Sequence, residues 1–170
     1  MIPNPTEVEE TEVTGQLIDR IGQGYRYVLT MDRRARYWHV FAGSARIAEA
    51  LCTLLDDDVF NIGDLHVRHN IAVPQTFLQS FFCQPVRQID YRRRGLGAAL
   101  LDQVLVHARE CGCRKVTGII SIFDLEEFSE LIAWYERFGF QYIPETPGTR
   151  VAGNLTLDIN SLPDVSKIVA

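Results

Sequence analysis

The chain has 170 residues, of which 46% are hydrophobic and 23% charged, and its formal net charge is -5. That length suits one well-cored domain, and the composition is that of a globular protein rather than a disordered or collagen-like chain. A net negative charge argues against broad nucleic-acid binding and mildly favours a cationic partner, and no apolar run approaches the ~20 residues of a membrane span.

The N-terminus is acidic, not a basic region followed by an apolar one, so a cytoplasmic protein is expected. Residues 1–10, with Pro3, Pro5, Glu7 and Glu9, read as a flexible lead-in. In residues 11–21, Val13, Leu17, Ile18 and Ile21 share one helical face and Gly22 follows as a left-handed stop, which predicts a short amphipathic helix. Residues 25–30 and 36–42 alternate apolar and polar side chains around Asp32-Arg33-Arg34, the pattern of an antiparallel hairpin. Ser44 then stands as the cap of a second helix whose stripe is Ile47, Ala48, Leu51, Leu54 and Leu55, with Asp56, Asp57 and Asp58 in the turn after it.

Residues 59–67 read as a strand. His66 and His69, three apart on a strand-to-loop segment, do not share a face, and no third ligand is evident, so no metal is expected. The four cysteines, Cys52, Cys83, Cys111 and Cys113, have neither a disulfide framework nor a zinc spacing and read as reduced, mostly buried thiols. Residues 77–86 read as a central strand interrupted near Pro85.

Arg92-Arg93-Arg94-Gly95-Leu96-Gly97 comes next, followed at once by the apolar run Ala98-Ala99-Leu100-Leu101. A loop with two glycines and three arginines that opens onto a helix brings backbone N–H groups to the positive end of a helix dipole. Such a loop either cradles a phosphate or merely starts the helix. The helix over residues 96–111 has the stripe Leu100, Leu101, Val104, Leu105 and Ala108, and Gly112 ends it. Residues 116–123 carry Val116, Ile119, Ile120 and Ile122, the pattern of a strand buried on both faces. With the strand at 77–86 this predicts a βαβ unit of parallel neighbours, with the anion loop at the carboxyl end of the first strand. Asp124 caps a further helix with Leu131, Ile132, Trp134, Tyr135 and Phe138 on its apolar side and Gly139 as its stop; strands follow at 140–143 and 154–159. Residues 161–170 form a tail without pattern.

Two stretches carry a family resemblance. Arg92, Gly95 and Gly97 resemble the acyl-CoA loop of the GNAT superfamily of N-acyltransferases, and Ala133-Trp134-Tyr135-Glu136-Arg137-Phe138-Gly139-Phe140 resembles that family's second signature. The resemblance implies an α/β GNAT fold: one domain over residues 11–160 with a mixed central sheet flanked by helices, and a cofactor half at about 77–159. It implies an N-acetyltransferase using acetyl-CoA and no metal, whose amine acceptor, a small molecule or a protein amine, attacks the thioester directly. The pyrophosphate would lie on Arg92, Arg93, Arg94, Gly95, Leu96, Gly97 and Ala98, chiefly on the backbone amides of residues 93–98. Tyr135 matches the tyrosine that protonates the departing thiolate; otherwise it is a core side chain between Trp134 and Phe138.

The family often pairs through its last strands, which implies a homodimer. Two positions depart from its pattern: Arg87-Gln88-Ile89 replaces Val-x-Pro, and Phe128 stands where an asparagine is frequent, with Asp124 and Ser129 nearby. Asp64, His66 or a water chain are the candidates for the general base. A non-catalytic CoA-binding module, or an acyltransferase with another donor or acceptor, is the alternative reading.

Overall fold

Short two-residue turns and β-branched runs dominate the first third of the chain, and strands are what they make. The computed structural model describes residues 10–56, 58–69, 71–72, 88–146 and 148–161. The elements are β1 (Thr11–Ile18), β2 (Gly24–Asp32), β3 (Ala35–Ala42), β4 (Ala45–Asp56), β5 (Val59–Val67), β6 (Ile71–Ala72), β7 (Gln88–Ile89), α1 (Leu96–Glu110), β8 (Lys115–Ser121), α2 (Ile122–Glu127), α3 (Leu131–Glu136), β9 (Gln141–Pro144) and β10 (Val151–Asp158). Eight strands form one sheet in the order β1-β2-β3-β4-β5-β8-β10-β9, and β6 pairs with β7 apart from it. This is the mixed α/β architecture expected. The chain divides into two compact units, Met1–Leu51 with Asp64–Asp102, and Cys52–Gly63 with Gln103–Ala170.

In the first unit, β1 runs antiparallel to β2 from Thr11↔Met31 to Ile18↔Gly24. The helix expected over residues 11–21 is therefore a strand. Its apparent helical stripe is not a buried face: Leu17 is buried, whereas Val13, Ile18 and Ile21 are exposed. Thr11, Val13 and Thr14 are β-branched, and Gly15 lies so close under the Tyr27 ring that a Cβ there would collide with it. The expected hairpin is present, with Asp32 opposite Ala35 around the turn Arg33-Arg34.

The helix expected over residues 44–55 is also a strand, β4. Gly43, at φ +60, and Ser44 form a two-residue turn of the kind that suits a hairpin, so Ser44 caps nothing. Along β4, Ala48, Ala50 and Cys52 are buried and alternate with half-buried or exposed Glu49, Leu51 and Thr53. This period of two is a strand's, and it overrides the i, i+3, i+4 spacing of the leucines.

In the second unit, β5 and β8 are parallel from Val59↔Lys115 to Ile62↔Gly118, and the ladder ends there although β8 continues to Ser121. The parallel neighbour of β8 over this stretch is thus β5, and β10 occupies its other edge. Residues 77–86, with Pro85, lie outside the described residues. Strand β8 is buried on one face only: Val116, Gly118 and Ile120 are inside, whereas Ile119 is 61% exposed and Ile122 already belongs to α2. Asp58, from the acidic turn, accepts from Arg114 Nε at 3.0 Å and from the Arg114 backbone N–H at 2.9 Å.

The single helix expected after Asp124 is two. Ser121 is the N-cap of α2 and Asp124 is its third residue, the two forming a reciprocal capping box. Phe128, at φ -136, ends α2 before α3 begins at Leu131. Helix α1 and the stop at Gly112 (φ +78) match expectation.

The strand assignment of β4 generates a test. Leu51 is 39% exposed. Leu51→Ala should therefore cost less than about 1 kcal/mol in chemical denaturation, whereas a leucine in a buried helical stripe would cost about 2–5 kcal/mol.

Candidate active site

The arginine and glycine loop owes its shape to alternating backbone hands. Arg93 has φ +59 and Gly95 φ +83, with Arg94 between them at negative φ. Alternation of this kind turns successive N–H groups toward one side, forming a nest for an anion. Glycine suits position 95 twice over: for its φ, which side chains rarely adopt, and because a Cβ would stand a tight 3.1 Å from Arg20 Cβ. Helix α1 follows directly, its first bond being Ala99 N–H to Gly95 O at 3.0 Å. The amides of Leu96, Gly97 and Ala98 precede that bond and have no acceptor within the helix. No acidic residue occupies the first turn, and His107 and Arg109 complement the other end. A phosphate-sized anion suits this end of the helix.

The three arginines differ. The Arg92 N–H donates to Asp90 Oδ1 at 2.8 Å, so that amide is committed to the loop itself. Arg93 is exposed. The Arg94 guanidinium sits 5.3 Å from the centre of the Tyr91 ring, and Tyr91 meets Tyr25 edge to face with centroids 6.0 Å apart.

Behind the loop stands a group that the sequence reading missed. Asp19, in the turn after β1, is 5% exposed. Its Oδ1 accepts from the N–H groups of Ile21 (3.0 Å) and Gln23 (2.9 Å), and its Oδ2 accepts from the Tyr25 hydroxyl at 2.9 Å. Arg20 follows with two bonds to the loop: its N–H to Arg94 O at 2.8 Å and its Nη2 to Arg93 O at 3.1 Å. Asp19 two residues before an N–H, then Gly22, is the signal of an Asx turn. It was obscured by extending a helical pattern to residue 21.

Tyr135 belongs to the second unit. It is 8% exposed and packs against Trp134 (4.7 Å between centroids) and Phe140 (5.3 Å). Phe138 instead lies against Trp134, at 5.0 Å. At the family's asparagine position, the Phe128 N–H closes α2 on Asp124 O at 2.8 Å. The Asp124 carboxylate accepts from the Ser121 N–H and hydroxyl at 2.8 and 2.7 Å, which commits it to the cap.

Of the candidate bases, Asp64 is exposed, and His66 lines a groove of about 360 Å³ with Glu49, Arg68, His69 and Ile71. Glu49 is bridged by Arg46 and Arg68, each at 3.2 Å. Nearby, burial together with the charges of Arg46 and Arg68 holds the His39 imidazole below its usual range, against the pull of Glu49. Among the described residues, no three His, Cys, Asp or Glu side chains converge as a metal set, and Cys52, Cys111 and Cys113 form no disulfide. No described helix is long and apolar enough to cross a membrane.

Burial alone would raise the Asp19 carboxyl, but the Gln23 N–H, the Tyr25 hydroxyl, the Ile21 N–H and the Arg94 charge outweigh it and hold it below the ordinary carboxylate range. Burial, with Asp19 beside it, raises the Tyr25 phenol. A depressed folded-state pKa adds stability that is present above the unfolded value near ~3.9 and lost as pH falls through the folded one. The gap in denaturation midpoint between wild type and Asp19→Asn should therefore be constant above about pH 5 and narrow below about pH 4; a gap independent of pH would show that the Asp19 charge does not matter.

The family model described as acetyltransferase (GNAT) domain matches residues 34–142. Among solved structures, the chain is similar to the PaiA N-acetyltransferase from Thermoplasma acidophilum in complex with coenzyme A (TM-score 0.51, 12% identity, 74% of this chain and 61% of that one). It is also similar to a GNAT family acetyltransferase from Elizabethkingia anophelis with acetyl-CoA bound (0.50, 12%, 74% and 76%). A third likeness is to the ribosomal-protein-S18-alanine N-acetyltransferase from Escherichia coli (0.51, 19%, 76% and 72%). At these identities the likeness is one of fold. No curated protein sequence matches the chain. The domain match alone spans more than half of the 170 residues, and the chain belongs to the GNAT acetyltransferase family.

Proposed function

We propose that the protein is an acetyl-CoA-dependent N-acetyltransferase acting on an amine. The observation that carries this reading is the loop of residues 92–98: left-handed Arg93 and Gly95 followed by a helix start free of acidic side chains, in a chain of this family. The amides of residues 93–98 are the proposed seat of the CoA pyrophosphate, and Arg92 and Arg93 are proposed to add positive charge around it. Arg94 supports the loop from within, over Tyr91.

In the proposed reaction the amine lone pair attacks the thioester carbonyl carbon, the C–S bond breaks, and the leaving thiolate takes a proton from the Tyr135 hydroxyl. The proton released by the amine then restores the phenol, through His66, Asp64 or water. A phenol of pKa near ~10 is protonated at neutral pH and can serve as such an acid. A net charge of -5 favours a cationic acceptor. The packing of Tyr135 between Trp134 and Phe140 favours a second reading, a GNAT-fold module that binds CoA without turnover.

Acetyl-CoA at about a hundred times its dissociation constant should stabilise the protein by ~2.7 kcal/mol, raising Tm by roughly 5–10 °C, and ATP should not. No shift with acetyl-CoA or free CoA would remove the basis of the reading. Tyr135→Phe should lower kcat by about 10²- to 10⁴-fold with little change in acetyl-CoA affinity. Undiminished turnover would exclude Tyr135 as the acid, and no turnover by the wild type across an amine panel, despite CoA binding, would favour the binding module.

A further inference from the structure

We infer that the β1–β2 turn is a positioning element for the anion loop, with Arg20 gripping the loop from behind and Asp19 and Tyr25 holding Arg20's turn in place. This rests on reading the loop as the seat of the CoA pyrophosphate. A nest that converges its N–H groups on a ligand turns carbonyls the other way, and those carbonyls need donors of their own. Arg20 supplies both: its backbone N–H bonds Arg94 O at 2.8 Å and its Nη2 bonds Arg93 O at 3.1 Å.

The carbonyls so held belong to the left-handed Arg93 and to Arg94, which separates it from Gly95. A non-glycine residue at φ +59 persists only where its surroundings over-determine it, and Arg20 is the surrounding that does so. The turn is itself rigid, because Asp19 Oδ1 ties the Ile21 and Gln23 amides while Asp19 N–H bonds Gln23 O at 2.9 Å. Tyr25 connects the far side of that carboxylate to Tyr91, at the foot of the loop. The close approach of Arg20 Cβ also crowds the place that a Cβ at residue 95 would take. Arg20, Asp19 and Tyr25 are thus positioning residues: they touch the loop or one another, Arg20 through the carbonyls of Arg93 and Arg94 and Tyr25 through the Tyr91 ring.

The experiment compares binding of CoA with that of pantetheine, which is the thiol arm of CoA without its phosphates or adenosine, by titration calorimetry and, at millimolar pantetheine, by NMR. Wild type, Arg20→Met and Tyr25→Phe are compared, with folding checked by circular dichroism and Tm; Arg20 is exposed, so its variant keeps the fold. The expected result is that Arg20→Met weakens CoA about 3- to 10-fold, the loss of one hydrogen bond, and Tyr25→Phe weakens it in the same direction, while pantetheine binding stays within about two-fold. Wild-type-like CoA affinity in both variants would overturn the positioning role and leave the proposed function standing. Equal weakening of CoA and pantetheine would overturn it too, as a general loss of scaffold. A wild type that binds no CoA would overturn the reading beneath it.

Discussion

The first turn of α1 leaves three successive amides, on Leu96, Gly97 and Ala98, without an acceptor inside the helix, and no acidic side chain in that turn competes for them. Everything local to the loop serves that constraint. Gly95 closes the helix by accepting from Ala99, Arg93 and Gly95 adopt the left-handed region, and Asp90 takes the Arg92 amide so that the chain enters the nest at a fixed angle. The helix dipole and the alternating backbone act in the same direction, which is why an anion is favoured there over a bare helix start. Charge alone does not define the site: of three consecutive arginines, one is turned back onto Tyr91.

What could be read from the residues follows from how local the signals are. Helix α1 is long, strongly periodic and ended by glycine, and its boundaries match the structure to within a residue. The hairpin of β2 and β3 was legible because alternation and turn chemistry agree in that stretch. Both strands misread as helices carry apolar residues at positions that satisfy either period. In β4, Leu51, Leu54 and Leu55 suggest a helical stripe with Ile47 and Ala48, but beyond those two the side chains that the fold buries are the small Ala50 and Cys52. Small buried residues give a weak signal in a sequence, and the pairing partner that decides between the two periods lies elsewhere in the chain.

The same limit applied to the site. The loop of residues 92–98 is contiguous and was visible as a motif. Behind it, Arg20 reaches residues more than seventy positions later through bonds to carbonyls that no residue pattern encodes, while Asp19 and Tyr25 bond each other. Similarly, Asp124 reads as a helix cap from the residues alone, but Ser121 is the cap and Asp124 the third residue of the capping box, which depends on where β8 ends. The parallel pairing of β8 with β5 could not be read from proximity in the chain either, because more than fifty residues separate the paired positions.

The central claim is that the amides of residues 93–98 hold the CoA pyrophosphate. It is tested most directly by titrating coenzyme A into isotopically labelled protein and following backbone amide shifts. The account predicts the largest shifts at Arg93, Arg94, Gly95, Leu96, Gly97 and Ala98, with downfield movement of protons that gain a charged acceptor, and a small response at Arg92, whose N–H already bonds Asp90. Saturable binding whose shifts fall elsewhere and leave these six amides unmoved would contradict it.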